Sequence, residues 1–82
     1  MLRIEHSSHF LSIISKIKNK ADKEKVMKHI TKIIESPEIG KPMKYARKGT
    51  RELYIGSFRL SYAYSKEESN LIFLDLYHKD EQ

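Results

Sequence analysis

The hydrophobic period of this chain changes once, near residue 50, and that change restricts the fold more than any other feature. Upstream, apolar residues recur three and four apart. Phe10, Leu11, Ile14 and Ile17 form one stripe, and Val26, Met27, Ile30, Ile33 and Ile34 form a second. Such stripes predict two amphipathic helices. Ser7 or Ser8 can cap the first, which reads as helix to about Asn19, and Asp22 can cap the second. Ser36-Pro37 ends the second helix, because the residue before proline is pushed out of the helical region. The short link between them predicts an antiparallel pair.

Downstream the period is two. Leu53 and Ile55 alternate with Glu52 and Tyr54; Phe58, Leu60, Tyr62 and Tyr64 alternate with Arg59, Ser61 and Ala63. Gly56-Ser57 and the polar stretch 65–70 supply turns, so two hairpins follow in sequence as a meander. Residues 71–77 are a near-continuous apolar run broken by Asp75, which suits a central strand covered on both faces. Leu2 and Ile4 alternate with Arg3 and Glu5 in a short first strand. Residues 37–50 hold both prolines and two of the three glycines, and read as loop with room for a short irregular strand. The expected fold class is α+β: a small antiparallel sheet in the order β-α-α-β-β-β, with the two-helix hairpin on one face and the last strand paired with the first.

Eighty-two residues make a single domain, 1–82, with no room for a second core. The net charge of +5 favours polyanionic partners such as nucleic acid, the ribosome or an acidic protein segment. With no cysteine, disulfides, thiolate metal sites and a cysteine nucleophile are excluded. No apolar run approaches the roughly 18 residues that would suggest a membrane span, and the N-terminus lacks a signal-peptide core. A cytoplasmic protein without a membrane partner is expected. His6, His9 and His29 lack metal-ligand spacing with supporting carboxylates, so neither a metal nor another cofactor is expected. Phosphate-binding, dinucleotide and Ser-His-Asp motifs are missing.

Five cations, Lys41, Lys44, Arg47, Lys48 and Arg51, fall within eleven residues without an acid, and Tyr45 lies among them. A basic loop of this kind attracts an RNA backbone, and a tyrosine within it can stack on a base. The same residues also suit a solvated loop. Arg59 alternates with core residues, which by itself suits an ordinary solvated charge. His78 and Lys79 close the last strand and can serve proton transfer and phosphate binding. Arg51 has the parity of the inward residues; a groove position and a salt bridge both fit it. Glu52 is the nearest acidic candidate for a general base, and also suits a surface ion pair.

Three segments resemble the RelE/ParE toxin family. The stretch 34–42, Ile-Glu-Ser-Pro-Glu-Ile-Gly-Lys-Pro, is similar to the family's helix end and following loop. The run 51–62, from Arg51-Glu52-Leu53 through Phe58-Arg59-Leu60-Ser61-Tyr62, is similar to its central hairpin. The run 71–80, closing on Tyr77-His78-Lys79-Asp80, is similar to its last strand. The resemblance covers nearly the whole chain and is most specific in the hairpin. It implies the toxin of a type II toxin–antitoxin system, an endoribonuclease that cleaves messenger RNA on the ribosome. It assigns Arg59 to transition-state stabilisation; His78, Lys79 and Arg51 are further catalytic candidates by their positions, and Lys41, Lys44, Tyr45, Arg47 and Lys48 are RNA-binding candidates by their charge and the ring among them. A cognate antitoxin with an acidic amphipathic segment is the implied partner. Many RNA-cleaving members carry a tyrosine past the last strand and a C-terminal tail, and this chain ends at Gln82 with neither. That departure keeps a ParE-type gyrase inhibitor, or a binding protein of weakened chemistry, as the alternative.

Overall fold

In the computed structural model, residues 1–43 and 49–79 are described. They form β1 (Arg3–His6), α1 (Ser8–Ser15), α2 (Lys20–Glu35), β2 (Lys41–Pro42), β3 (Thr50–Ile55), β4 (Phe58–Ser65) and β5 (Asn70–His78). The five strands make one sheet in the order β1-β5-β4-β3-β2. β5 therefore lies beside β1, inside the sheet, as its apolar run requires.

The sheet is mixed, which corrects the antiparallel expectation. β2 through β5 pair antiparallel, but β1 runs parallel to β5. Tight turns impose antiparallel pairing only on the strands they join. β1 and β5 stand near opposite ends of the described chain, so no tight turn sets the direction of β1. It is also an edge strand with all four residues exposed, and Ile4 is not the inward residue its alternation suggested.

Local chemistry sets the helix ends. The Ser7 hydroxyl accepts from the Phe10 N–H at 3.0 Å and donates to the Leu74 carbonyl at 2.9 Å, fastening the start of α1 to β5. α1 stops at Ser15 rather than near Asn19, because Asn19 caps α2: its side chain accepts from the Asp22 N–H at 3.1 Å. Asp22, expected as the cap, sits in the first turn, where a carboxylate complements the helix dipole. α2 ends at Glu35, before Ser36-Pro37.

The core gathers Phe10, Val26 and Ile33 from the helices with Ile55, Leu60, Tyr62, Leu71, Phe73 and Leu76 from the sheet. Leu11 and Met27, counted in the apolar stripes, are exposed. A β-bulge explains Asp75. Ser61 pairs with Asp75 while Tyr62 pairs with Phe73, so Leu74 is an extra residue. Without it Asp75 would follow Leu71 and Phe73 into the core; with it Leu76 takes that place. Asp75 instead accepts from the Leu76 N–H at 2.8 Å and lies 3.1 Å from His9 Nε2.

Tyr62 is fully buried. Its hydroxyl donates to the Pro37 carbonyl at 2.7 Å and accepts from the Gly40 N–H at 2.8 Å. A Cβ on Gly40 would stand 2.6 Å from that hydroxyl, so glycine is required by close approach. Burial raises the pKa of the phenol, against smaller lowering effects of the Gly40 N–H and the Arg51 charge.

Two predictions follow from this contact. Tyr62→Phe strands one donor and one acceptor in the interior, and urea unfolding should show a loss of about 1–3 kcal/mol. The folded phenol ionises at higher pH than the unfolded one. Its contribution is therefore complete below about pH 10 and is lost as pH rises through the folded value. Chemical unfolding of the wild type at pH 8 and pH 11 should show this drop, and Tyr62→Phe should lack it.

Candidate RNA-binding face

The face of the sheet away from the buried Leu60 and Tyr62 carries the polar residues of β3, β4 and β5. Register places them together. Arg59 lies between Tyr54 on β3 and Tyr77 on β5, and Glu52 lies between Lys41 on β2 and Ser61 on β4. The Arg59 guanidinium carbon stands 4.7 Å from the centre of the Tyr54 ring. This is cation–π geometry, and it braces a long side chain while leaving the guanidinium N–H fork available. Tyr54 is 58% exposed, so it belongs to this face and not to the edge of the core.

The Tyr77 hydroxyl donates to Glu52 Oε2. Glu52 is nearly buried, so it is not the surface ion-pair residue that its sequence setting suggested. A carboxylate held out of water by a phenol can exchange a proton through that phenol. Sequence reasoning missed Tyr77, because it reads as one more member of an apolar run. The signal was available only through pairing: the bulge at Leu74 turns Tyr77 to the Arg59 side.

The expected catalytic residues do not all converge. Arg59 and Tyr77 share a rung, but His78 is the next residue and lies on the helix side, its ring edge-on to Phe58 at 5.6 Å. Lys79 is exposed at the strand end, where its N–H binds the Ser57 carbonyl at 2.9 Å. Arg51 is in register with the inward Tyr62, and its Nη1 donates to the carbonyls of Glu38 and Gly40 at 3.0 and 2.8 Å. Those bonds anchor the loop that leads into β2. Lys41 is exposed and opposite Glu52. The remaining RNA-binding candidates, Lys44, Tyr45, Arg47 and Lys48, lie outside the described residues.

Among the described residues no cluster of three or more His, Asp or Glu side chains could hold a metal ion, and no helix is long and apolar enough to cross a membrane. What the face offers is one braced arginine, an exposed aromatic ring and a phenol–carboxylate couple. These suit a phosphodiester and its flanking base.

No family model and no curated protein matches this sequence. Solved structures do. This chain matches a chain of the intact E. coli RelBE toxin–antitoxin complex with a TM-score of 0.78 over 95% of its length and 96% of that one, at 16% identity. The fold is that of the RelE/ParE toxins. A YoeB/ParE toxin from Agrobacterium tumefaciens matches with a TM-score of 0.80 at 15% identity, covering 94% of this chain and 98% of that one. YafQ from E. coli matches at 0.75 and 18% identity, covering 99% and 97%. In each of these three matches the alignment covers at least 94% of both chains.

The two arginines should separate experimentally. Arg51→Met leaves two carbonyls without their donor and should lose about 1–3 kcal/mol in urea unfolding. Arg59→Met gives up only a partly exposed cation–π contact and should lose no more than about 1 kcal/mol.

Proposed function

We propose that this chain is the toxin of a type II toxin–antitoxin pair and that it cuts messenger RNA on the ribosome without a metal. The observation that carries this reading is Arg59, braced over Tyr54 and in register with the Tyr77–Glu52 couple on an open sheet face.

The chemistry assigns three tasks. The ribose 2′-oxygen attacks the adjacent phosphorus, forming a 2′,3′-cyclic phosphate as the bond to the 5′-oxygen breaks. Arg59 holds the non-bridging oxygens, whose charge grows in the transition state, through a planar fork suited to two of them. Tyr77 accepts the 2′ proton while passing its own to Glu52, so the buried carboxylate acts through the exposed side of the phenol. Lys79, exposed at the strand end, gives a proton from its ammonium to the departing 5′-oxygen, which leaves as a hydroxyl. Tyr54 presents a ring to a neighbouring base. The Tyr77 phenol takes the place in this scheme that the resemblance gives to a tyrosine beyond the last strand.

A cognate antitoxin belongs to the same reading. The E. coli RelBE chain with this fold comes from a toxin–antitoxin complex, and an acidic amphipathic segment complements a net charge of +5.

The test is growth arrest on induction, together with primer extension on a reporter mRNA in a translating extract. Wild-type protein should give discrete cuts within the reading frame, lost when ribosomes are withheld. Arg59→Ala should abolish both arrest and cuts, and Tyr77→Phe should slow cutting by about 10²–10⁴-fold, the usual size of a proton-transfer contribution. Cuts by Arg59→Ala at the wild-type rate would sink the mechanism. Arrest without cuts, with gyrase supercoiling blocked in vitro, would replace it by gyrase inhibition.

A further inference from the structure

The Arg59 face leaves His78 without a task, and the structure places this residue in a different cleft. At the end of the sheet, α2 lies over the β3–β4 turn, leaving a cleft of about 250 Å³. Its rim is Asp22 and Lys25 from α2, Gly56 and Ser57 from the turn, and His78 from the end of β5. Three separate elements thus bring a cation, a hydroxyl and an imidazole to one opening.

Lys25 is the informative member. By sequence it is one of several lysines on the solvent side of α2. In the structure its ammonium lies against the turn: Nζ would be 3.4 Å from a Cβ built on Gly56. Gly56 has a φ of +58°, a conformation in which glycine carries no steric penalty, and its missing side chain also leaves room for the ammonium. Among the described residues no carboxylate lies within 4.0 Å of the Lys25 ammonium. Asp22 shares the rim without closing on it. An ammonium held against a glycine turn beside an imidazole, without an acidic partner, is suited to an anion with several acceptor oxygens.

The position of the cleft suggests which anion. Arg59 is two residues beyond Ser57 in the same hairpin, and Tyr77 directly precedes His78. The phosphate-binding arginine and this cleft therefore lie on opposite faces of one sheet end. A single strand crossing that end meets Arg59 on one side and Lys25 with His78 on the other.

We propose that the Lys25–His78 cleft binds a backbone phosphate of the RNA flanking the phosphate held by Arg59. This rests on the RNA-directed reading of the Arg59 face and assigns His78 to substrate positioning. The flanking contact holds the strand while the sheet face does the chemistry.

The test uses the full chain in two titrations followed by amide and side-chain NMR. The probes are inorganic phosphate and a short single-stranded 2′-O-methyl RNA, which has no 2′-hydroxyl to cleave. Both should shift the Gly56 and Ser57 amides and the His78 ring. Lys25→Gln should remove those shifts while leaving the rest of the spectrum unchanged. Asp22→Asn, which takes a negative charge from the rim, should tighten binding of both probes. For the RNA, the slope of log K against log salt should fall by about 0.7 in Lys25→Gln, the share of one phosphate contact in a single strand. If RNA moves Tyr54 and Tyr77 but leaves the turn silent, the flanking site is wrong and the Arg59 reading stands. If neither probe reaches the turn and an acidic peptide does, the cleft serves a protein ligand and the proposal falls. Phosphate binding without any RNA binding would remove the RNA reading, and this proposal with it.

Discussion

The buried hydroxyl of Tyr62 is the contact on which the rest of the arrangement depends. Tyr62 sits mid-strand in β4, its ring 6.3 Å from that of Phe73 and its oxygen bonded to both Pro37 and Gly40. A buried hydroxyl is tolerated only when its hydrogen-bonding needs are met, and here the loop after α2 meets them. The loop gains a fixed path in return, because Gly40 can approach so closely only without a side chain. Arg51 completes the clamp from β3 by binding the carbonyls of Glu38 and Gly40. Together these bonds set the start of β2 and put Lys41 beside Glu52. A residue that its position in the sequence made a catalytic candidate thus has a structural task in positioning the site.

The second constraint is the bulge in β5. One extra residue, Leu74, reverses the parity of everything after it. Leu76 enters the core, and Tyr77 turns toward Arg59 and Glu52. His78 turns the other way, against Phe58. A single backbone irregularity therefore decides which of two adjacent residues joins the sheet face and which joins the cleft under α2. It also releases Asp75, which would otherwise be a charge in the core, to a partly exposed position beside His9.

These two constraints divide polar work between the faces of a very small body. The open face holds a braced guanidinium and a phenol–carboxylate couple, and the helix side holds an ammonium beside a glycine turn. With the core filled by side chains from both helices and from β3, β4 and β5, functional groups have the sheet face away from the helices and the sheet ends to occupy. Charge on both faces of one sheet end suits a polyanion that bends around it better than a compact ligand held in one pocket.

The hydrophobic periods alone determined two helices, three long strands, a meander and a central last strand, because each depends on spacing along the chain. The hairpin residues also carried the family resemblance, and with it Arg59. Spacing could not fix the direction of β1, which no tight turn connects to its neighbour, nor the exact helix start, where Asn19 and Asp22 offer the same chemistry three residues apart. It could not assign the facing of Tyr77 and His78, since strict alternation fails at a bulge whose position is set by packing against β4. Nor could spacing choose between a groove position and a polar contact for Arg51: its partners are carbonyls of a distant loop, and carbonyls leave no mark in the pattern of side chains. What the tertiary structure decided, then, is which polar groups face one another across the sheet, because that depends on register and backbone hydrogen bonding rather than on residue type.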